Sequence, residues 1–183
     1  MTFDNYQIRL LTENDLLPYF TLVETNRKRL EDFFTGTVSK TKTLEDTKAF
    51  LAEIAERTAG KKYFPYIIID SGSEKIAGFI DVKNIDWQIP KAELGCYVDF
   101  ATANKGLSTK ALNIVIDHLF NELAFRKLFL RTHESNIAAR TLAEKCGFRI
   151  EGTIRQDYKT TSGEIIDLLY YGRLNDDVLK YAD

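Results

Sequence analysis

The sequence is short of several features that mark particular classes of protein. It has two cysteines, three prolines and two histidines in 183 residues. Two cysteines provide neither a disulfide framework nor metal-ligand spacing, and no Pro/Gly-rich linker divides the chain. The net charge of −2 gives no general attraction to nucleic acid or to anionic lipid. We therefore expect a single domain over 1–183 with reduced thiols, no metal, and no nucleic-acid or membrane partner.

Signals for targeting and for membrane insertion are also absent. The N-terminus reads MTFDNYQIRLL, without the basic-then-apolar pattern of a signal peptide. No apolar run approaches the roughly 20 residues that a membrane-spanning helix needs. These absences favour a cytoplasmic protein. An apolar fraction of 44% is ordinary for a globular chain, and 183 residues are enough for a substantial core.

The distribution of apolar residues predicts a mixed α+β fold. The middle of the chain reads as an antiparallel meander of three strands, and the segment 91–133 reads as strand, helix, strand. We expect about seven strands in one mixed, mostly antiparallel twisted sheet flanked by helices. The predicted strands cover 6–11, 63–70, 75–85, 91–100, 126–133, 148–160 and 164–174. The predicted helices begin after Thr12 or Asn14, at Thr43 or Asp46, after Gly106 and after Asn136, and 35–43 is predicted to be a polar loop.

The stretch ATANKGLSTKALNIVIDHLF, residues 101–120, places a small polar run before an amphipathic helix. Gly106 can adopt a positive φ or allow the backbone to approach a ligand closely. Backbone N–H groups at a helix N-terminus, together with the helix dipole, favour anionic oxygen. Neither of two familiar phosphate loops, G-x-x-x-x-G-K-[ST] and G-x-G-x-x-G, is present. We interpret the stretch as an anion site, with a capped helix after a glycine turn as the structural alternative. The residues that would form the site are Asn104, Lys105, Gly106, Leu107, Ser108 and Thr109.

Three segments together resemble a known family. AELGCYVDFATANKGLSTKAL (92–112), followed by NIAARTLAEKCGFRIEG (136–152), resembles the GCN5-related N-acetyltransferase (GNAT) superfamily. The later hairpin, with R-x-D-Y and D-L-L-Y-Y, is similar to the branch that acetylates the N-termini of ribosomal proteins. The resemblance implies a GNAT-like fold and direct transfer of acetyl from acetyl-CoA to a primary amine. The acceptor that it implies is a protein N-terminal α-amine.

The resemblance also implies where acetyl-CoA binds. In the family, the amides of the loop hold the pyrophosphate, and the pantetheine arm lies between two splayed strands like an additional strand. The loop 104–109 would hold the phosphates, although the family's usual Gln/Arg at the first loop position is Ala103 here. Asn136 would bond the pantetheine arm, with a helix N-cap as its structural alternative. Backbone N–H groups around Cys96, Tyr97 and Val98 would hold the acetyl oxygen.

Catalysis would fall to few side chains. Glu93 occupies the position at which histone acetyltransferases carry a general-base glutamate; a strand-edge glutamate paired with a lysine is the structural alternative. Family members often protonate the leaving thiolate with a tyrosine or serine, but Ala143 and Ala139 stand at those positions. Coenzyme A therefore leaves as thiolate, with a pKa near ~8.5, or another residue such as Tyr158 or Tyr170 protonates it.

Other functions stay open from the sequence. A cysteine hydrolase is disfavoured because Cys146 ends a helix, where the dipole opposes a thiolate, and Cys96 lies in an apolar strand. A coenzyme-A-binding regulator without activity would explain the alanines at the acid positions. A small-molecule acetyltransferase would act on a polyamine or an aminoglycoside, with ENDLL (13–17) and LEDFF (30–34) as sources of an acidic cleft. A homodimer is compatible with each of these functions.

Overall fold

A computed structural model describes residues 1–177, whose strands form one eight-stranded sheet. Seven strands correspond to the predicted ones, and a two-residue strand at the N-terminus is the eighth. In chain order the elements are β1 (Thr2–Phe3), β2 (Tyr6–Leu10), α1 (Leu16–Leu30), α2 (Thr35–Lys40), α3 (Leu44–Ala59), β3 (Phe64–Asp70), β4 (Ile76–Asp86), β5 (Lys91–Val98), α4 (Leu107–Asn121), β6 (Lys127–Thr132), α5 (Ile137–Lys145), β7 (Arg149–Lys159) and β8 (Ile165–Leu174). The strand order is β1-β2-β3-β4-β5-β6-β8-β7. All neighbouring pairs are antiparallel except β5 and β6, which confirms the predicted mixed α+β fold.

Helices cover both faces of the sheet because successive side chains of the central strands point to opposite sides. On one face, Ile68, Ile80 and Val98 pack in a core with α4 and α5. On the other face, Ile67 and Phe79 pack in a second core with α1 and α3. The amphipathic helix expected after Gly106 is confirmed as α4, since one face of it is buried: Leu107, Ala111, Leu112, Val115, Ile116, Leu119 and Phe120.

The helix starts show which local signals were readable in the sequence. Thr43 caps α3 and forms the reciprocal hydrogen-bond pair with Asp46, at 3.1 Å in each direction.

The predicted loop over 35–43 is wrong, because Thr35–Lys40 is helical. Its sequence TGTVSK has low helix propensity, but Val38 is buried and its carbonyl accepts from Arg27 at 3.2 Å. Tertiary contacts thus stabilise a helix that propensity disfavours.

The pairing between β5 and β6 positions the candidate site. These parallel strands pair only over Lys91–Glu93 and Lys127–Phe129. Beyond this ladder β5 stays paired with β4 as far as Val98, whereas β6 stays paired with β8. The carboxyl-terminal halves of the two strands therefore separate, and a gap opens along one edge of β5.

Candidate active site

The gap between β5 and β6 belongs to a cavity of about 820 Å³. Most of its wall comes from β5, β6, the loop before α4, the first two turns of α4, one face of α5, and the end of α1 with 33–34. One residue each of β4, β7 and β8 completes it. Lys105 and Leu107 do not line the cavity: the Lys105 Nζ donates to the Ala101 carbonyl at 3.0 Å, and Leu107 is buried in the core. The other predicted site residues all line it, namely Glu93, Cys96, Tyr97, Val98, Asn104, Gly106, Ser108, Thr109 and Asn136.

The N-terminus of α4 presents unpaired backbone donors to this cavity. Gly106 is the N-cap with φ 77°, Asn104 also has a positive φ of 61°, and no side chain caps the helix. The first intrahelical bond runs from the Lys110 N–H to the Gly106 carbonyl at 3.1 Å. The N–H groups of 107–109 have no acceptor within residues 1–177. Side chains do cap α3 and α5. The bare N-terminus of α4 can therefore hold a phosphate group.

The free edge of β5 supplies two further donors. The Asp99 N–H donates to the Ala77 carbonyl at 2.8 Å, which fixes the alternation of the ladder between β4 and β5. In that alternation the main-chain groups of Tyr97 face β4, whereas those of Cys96 and Val98 face the gap. In the part of the chain that the structure describes, the pairing of β6 with β5 ends at Glu93, before these residues. The N–H groups of Cys96 and Val98 are thus available to an extended ligand or to a carbonyl oxygen.

Glu93 lies where the two strands separate, and it is 5% exposed. Its Oε2 accepts from the Arg131 Nη2 at 2.8 Å and from the Asn84 Nδ2 at 2.6 Å. No hydrogen bond from residues 1–177 reaches Oε1. The ion-pair partner is thus an arginine, not the lysine of the structural alternative. With Oε2 occupied by two donors, Oε1 is the atom left to take a proton in the cavity.

Charged pairs surround Glu93. Lys83 pairs with Asp81 at 3.2 Å, and Arg131 pairs with Asp157 at 2.5 Å. Burial lowers the pKa of Lys83, but Asp81 and Glu93 raise it more, so the pKa lies above its ordinary value and Lys83 is protonated. Glu93 is the only carboxylate in the cavity wall over the described range 1–177, whereas four cationic side chains line it: Arg29, Lys83, Arg131 and Lys145.

Sequence reasoning did not identify these cationic residues or Asn84. A usable signal was present for Arg131, which follows Phe129 at the two-residue spacing of one strand face in KLFLRT. An arginine on a largely buried strand needs a carboxylate partner, because an unpaired buried charge is costly. The contact of Asn84 depends on a positive φ of 49° within a bulge of β4, for which the sequence carries no clear signal.

Asn136 fills its structural role and keeps part of its side chain free. Its Oδ1 accepts from the Ala139 N–H at 3.1 Å and caps α5. The amide NH₂ has no hydrogen-bond partner among the described residues, and Asn136 lines the cavity. The same side chain can therefore cap the helix and donate to a ligand.

The two tyrosines considered as proton donors lie in different places. Tyr158 lines the cavity, and its hydroxyl donates to the Thr35 Oγ1 at 2.9 Å and accepts from the Thr35 N–H at 3.1 Å. Tyr170 does not line the cavity; it stacks on Phe129 with ring centroids 4.8 Å apart. Burial raises the pKa of Tyr170 to about 12. Only Tyr158 is thus placed to act on a group in the cavity.

Other chemistries receive little support from the structure. Burial raises the pKa of the Cys96 thiol far above its ordinary value and that of Cys146 to about 12, so neither is a thiolate at neutral pH. Within residues 1–177 no group of histidine, cysteine and acidic side chains is arranged to hold a metal ion. In the same range, no helix combines the length and the apolarity that crossing a bilayer requires.

Known sequences resemble the chain over half to nearly all of its length. A Bacillus subtilis (strain 168) protein named "Putative ribosomal N-acetyltransferase YdaF" is 28% identical over 173 residues, which cover 93% of this chain and 92% of that protein. The aminoglycoside N(6')-acetyltransferase type 1 of Klebsiella pneumoniae is 27% identical over 166 residues, 82% of this chain and 77% of that protein. The spermidine N(1)-acetyltransferase of Escherichia coli (strain K12) is 28% identical over 91 residues, 50% of this chain and 48% of that protein.

Solved structures share the fold. The ribosomal-protein-S5-alanine acetyltransferase of Vibrio fischeri superposes with a TM-score of 0.89 at 22% identity, covering 97% of both chains. A ribosomal L7/L12 alpha-N-protein acetyltransferase in complex with coenzyme A superposes with a TM-score of 0.86 at 18% identity, covering 95% of this chain and 96% of that one. The family model for the acetyltransferase (GNAT) domain matches residues 6–149. This match spans most of the chain and agrees with the splayed strands, and the chain belongs to the GNAT acetyltransferase family.

Proposed function

We propose that this acetyltransferase transfers the acetyl group of acetyl-CoA directly to a protein N-terminal α-amine. One observation carries the proposal: the bare N-terminus of α4, the free edge of β5 and Glu93 line the same cavity. An anion site, an edge for an extended arm and a proton acceptor are what acetyl transfer from acetyl-CoA requires.

The donor would be held mainly by backbone groups. The N–H groups of 107–109 and the preceding Asn104 would bind the pyrophosphate. The pantetheine arm would lie along the edge of β5, where Cys96 and Val98 donate, with Tyr97 in the wall. Asn136 would donate its amide N–H to the arm. The missing Gln/Arg at Ala103 matters little if the backbone supplies most of the donors.

The chemistry needs one proton acceptor and one oxyanion site. An α-amine has a pKa near ~8, so a modest base suffices at neutral pH. The Oε1 of Glu93 would take the amine proton, directly or through a water molecule, as the nitrogen attacks the thioester carbon. N–H groups of the β5 edge would hold the carbonyl oxygen. The C–S bond then breaks, and the Tyr158 hydroxyl at the cavity wall would protonate the thiolate.

The charge of the cavity wall favours an acceptor with a single positive charge. Asp81 and Asp157 are already paired with Lys83 and Arg131, which leaves Glu93 as the carboxylate of the wall. A polyamine or aminoglycoside would bring several ammonium groups next to protonated Lys83 and Arg131, and like charges at close range are unfavourable. This supports an N-terminal amine over a polycation.

The acidic clusters of the sequence do not change this balance. From LEDFF only Leu30, Phe33 and Phe34 line the cavity, and from ENDLL no residue does. Asp15 of the latter cluster is paired with Arg9 at 2.6 Å. An acidic cleft for polyamines is therefore not formed by either cluster in residues 1–177.

The donor half of the proposal is tested by calorimetric titration with acetyl-CoA. We expect one-to-one binding that Gly106→Glu abolishes, because a carboxylate would then compete with phosphate at the start of α4. Gly163→Glu is the matched control, since Gly163 also has a positive φ, 91°, but lies in the turn between β7 and β8. If the folded wild-type protein binds no acetyl-CoA, the donor proposal fails.

The acceptor half is tested by measuring coenzyme A release with a panel of amines. We expect peptides with a free N-terminus to exceed spermidine and kanamycin in kcat/KM by at least about tenfold. Glu93→Gln should lower kcat by roughly 100-fold or more, within the range of general-base contributions. If the enzyme acetylated spermidine or kanamycin faster than the peptides, the proposed acceptor would be wrong, and the proposed donor would stand.

A further inference from the structure

A guanidinium lies at the fork where β5 and β6 separate. Arg131 is two residues beyond Phe129, the last residue of β6 that pairs with β5. We propose that Arg131 is a positioning residue that holds the Glu93 carboxylate with its Oε1 toward the acceptor amine. This inference rests on the proposed function of Glu93 as the base.

Two carboxylates hold the guanidinium, each through a different terminal nitrogen. The Nη2 donates to the Glu93 Oε2 at 2.8 Å, and the Nη1 donates to the Asp157 Oδ2 at 2.5 Å. Asp157 belongs to β7, which is separated from β6 by β8. Arg131 thus connects the base on β5 to the far edge of the sheet. A planar guanidinium bonded at both ends has little freedom to turn, so it fixes the carboxylate that it holds.

A second donor acts on the same oxygen. Asn84 lies in a bulge of β4, between Lys83 and Asp86, and its Nδ2 is 2.6 Å from the Glu93 Oε2. Bulges commonly redirect a side chain in this way. Because both donors meet at Oε2, the carboxylate is oriented and Oε1 is left without a partner within 1–177.

The position of the fork explains why support is needed. Glu93 is the last residue of β5 in the ladder with β6, so the backbone beyond it is paired on one side only. A glutamate side chain has three rotatable bonds, and a reacting group must be held to within a fraction of an ångström. The hydrogen bond from Arg131 to Glu93 links β6 to β5 through side chains at the point where their backbones stop pairing.

The first experiment compares Arg131→Ala with the wild-type enzyme in steady-state kinetics. We expect kcat to fall by roughly 10- to 100-fold, the loss typical of a displaced catalytic group, while the KM for acetyl-CoA stays within about threefold. Guanidinium chloride at low millimolar concentration should restore part of kcat, because the free cation can occupy the space between two carboxylates. Sodium chloride at equal ionic strength should not. Arg131→Lys should retain more activity than the alanine variant.

Glu93→Gln separates this inference from the proposed function. If Glu93→Gln is inactive but Arg131→Ala keeps wild-type kcat, the positioning role is wrong and the base stands. If Glu93→Gln is fully active, the base itself is wrong. A raised KM for the acceptor at unchanged kcat would make Arg131 an acceptor-binding residue and would also overturn the inference.

Asp157→Asn provides a second variant in case Arg131→Ala does not fold. It keeps the pair between Glu93 and Arg131 but weakens the far anchor, and we expect kcat to fall by about 3- to 10-fold. Arg149→Ala is the matched control on β7, because the one ion pair of this exposed arginine within 1–177 is with Asp177 at 3.5 Å, and it should keep wild-type kcat. Equal kcat in Asp157→Asn and Arg149→Ala would show that the far anchor has no role in positioning.

Discussion

At the scale of single residues, one amide in a strained backbone position contributes to the orientation of Glu93. Asn84 combines a positive φ of 49° with a hydrogen bond to the carboxylate. Asn84→Gly keeps that φ accessible and removes the amide, so we expect a fall in kcat of about 3- to 10-fold with little loss of stability. Glu74→Gly is the control, because Glu74 has a φ of 57° in an exposed turn. Matching kinetics in the two variants would contradict the role of the amide.

Asp15 predicts an acid-sensitive part of the stability. Burial raises the pKa of its carboxyl, but hydrogen bonds from Arg9 and Thr12 lower it more, so the pKa lies below the ordinary 3.8. A depressed folded-state pKa stabilises the protein above the unfolded-state pKa, and this stability is lost as the pH falls through the folded-state pKa. Asp15→Asn should cost about 1 kcal/mol at neutral pH, a figure reduced by the solvent around half-exposed Arg9.

Urea unfolding at neutral pH and below pH ~4 checks this expectation. The difference in free energy of unfolding between wild type and Asp15→Asn should shrink as the pH falls. Glu13→Gln, an exposed change in the same turn, should follow the wild-type curve. A constant gap across the pH range would assign the loss to packing instead of ionisation.

At the scale of elements, β5 depends on a glycine that has no room for a side chain. A Cβ on Gly95 would lie 2.1 Å from the Asp81 Oδ1, and Asp81 is held by Lys83. Gly95→Ala must therefore displace a buried, paired carboxylate, at a cost of about 1–3 kcal/mol. Gly152→Ala in β7 meets nothing within 4 Å and is the matched strand control. Urea midpoints for the two variants measure the difference. Equal midpoints would show that the Asp81 side chain moves aside without a measurable loss of stability.

Elements with a strong repeat were predictable, and elements stabilised by distant contacts were not. The spacing of apolar residues located α4 and its buried face, because a helix face repeats every three to four residues. The helix α2 escaped prediction because its stability comes from buried Val38 and from Arg27 of a neighbouring helix. The separation of β5 and β6 was expected from the family resemblance, since the sequence of β5 carries no local sign of where pairing ends.

At the scale of the whole molecule, the site is assembled from residues far apart in the sequence. The bonds of Glu93 to Asn84 and Arg131 span 9 and 38 residues, and that of Arg131 to Asp157 spans 26. The loop 104–109 was recognisable because consecutive residues form it. The positioning network was not, because only the strand order β4-β5-β6-β8-β7 brings its members together.

The same sheet joins the two hydrophobic cores, and this supports our proposal of one domain over 1–183. Leu112 belongs to the core with α4, and Leu51 belongs to the core with α3; both are at most 2% exposed. Each core covers one face of the same central strands. Loss of either core would therefore expose one face of strands that the other core also needs. We therefore expect Leu112→Ala and Leu51→Ala each to lower the free energy of unfolding by about 2–5 kcal/mol in a single transition.

The measurement follows urea unfolding of the full chain with two probes. The Trp87 ring packs at a tilt against Phe125 of the α4 core, with ring centroids 4.8 Å apart, so its fluorescence reports on that side. Far-ultraviolet circular dichroism reports on all helices, including α1 and α3. Both probes should give one midpoint in each variant, because neither face can unfold without the shared strands. If Leu51→Ala shifts the dichroism but leaves the Trp87 midpoint unchanged, the two faces are separate cooperative units and the single-domain proposal fails.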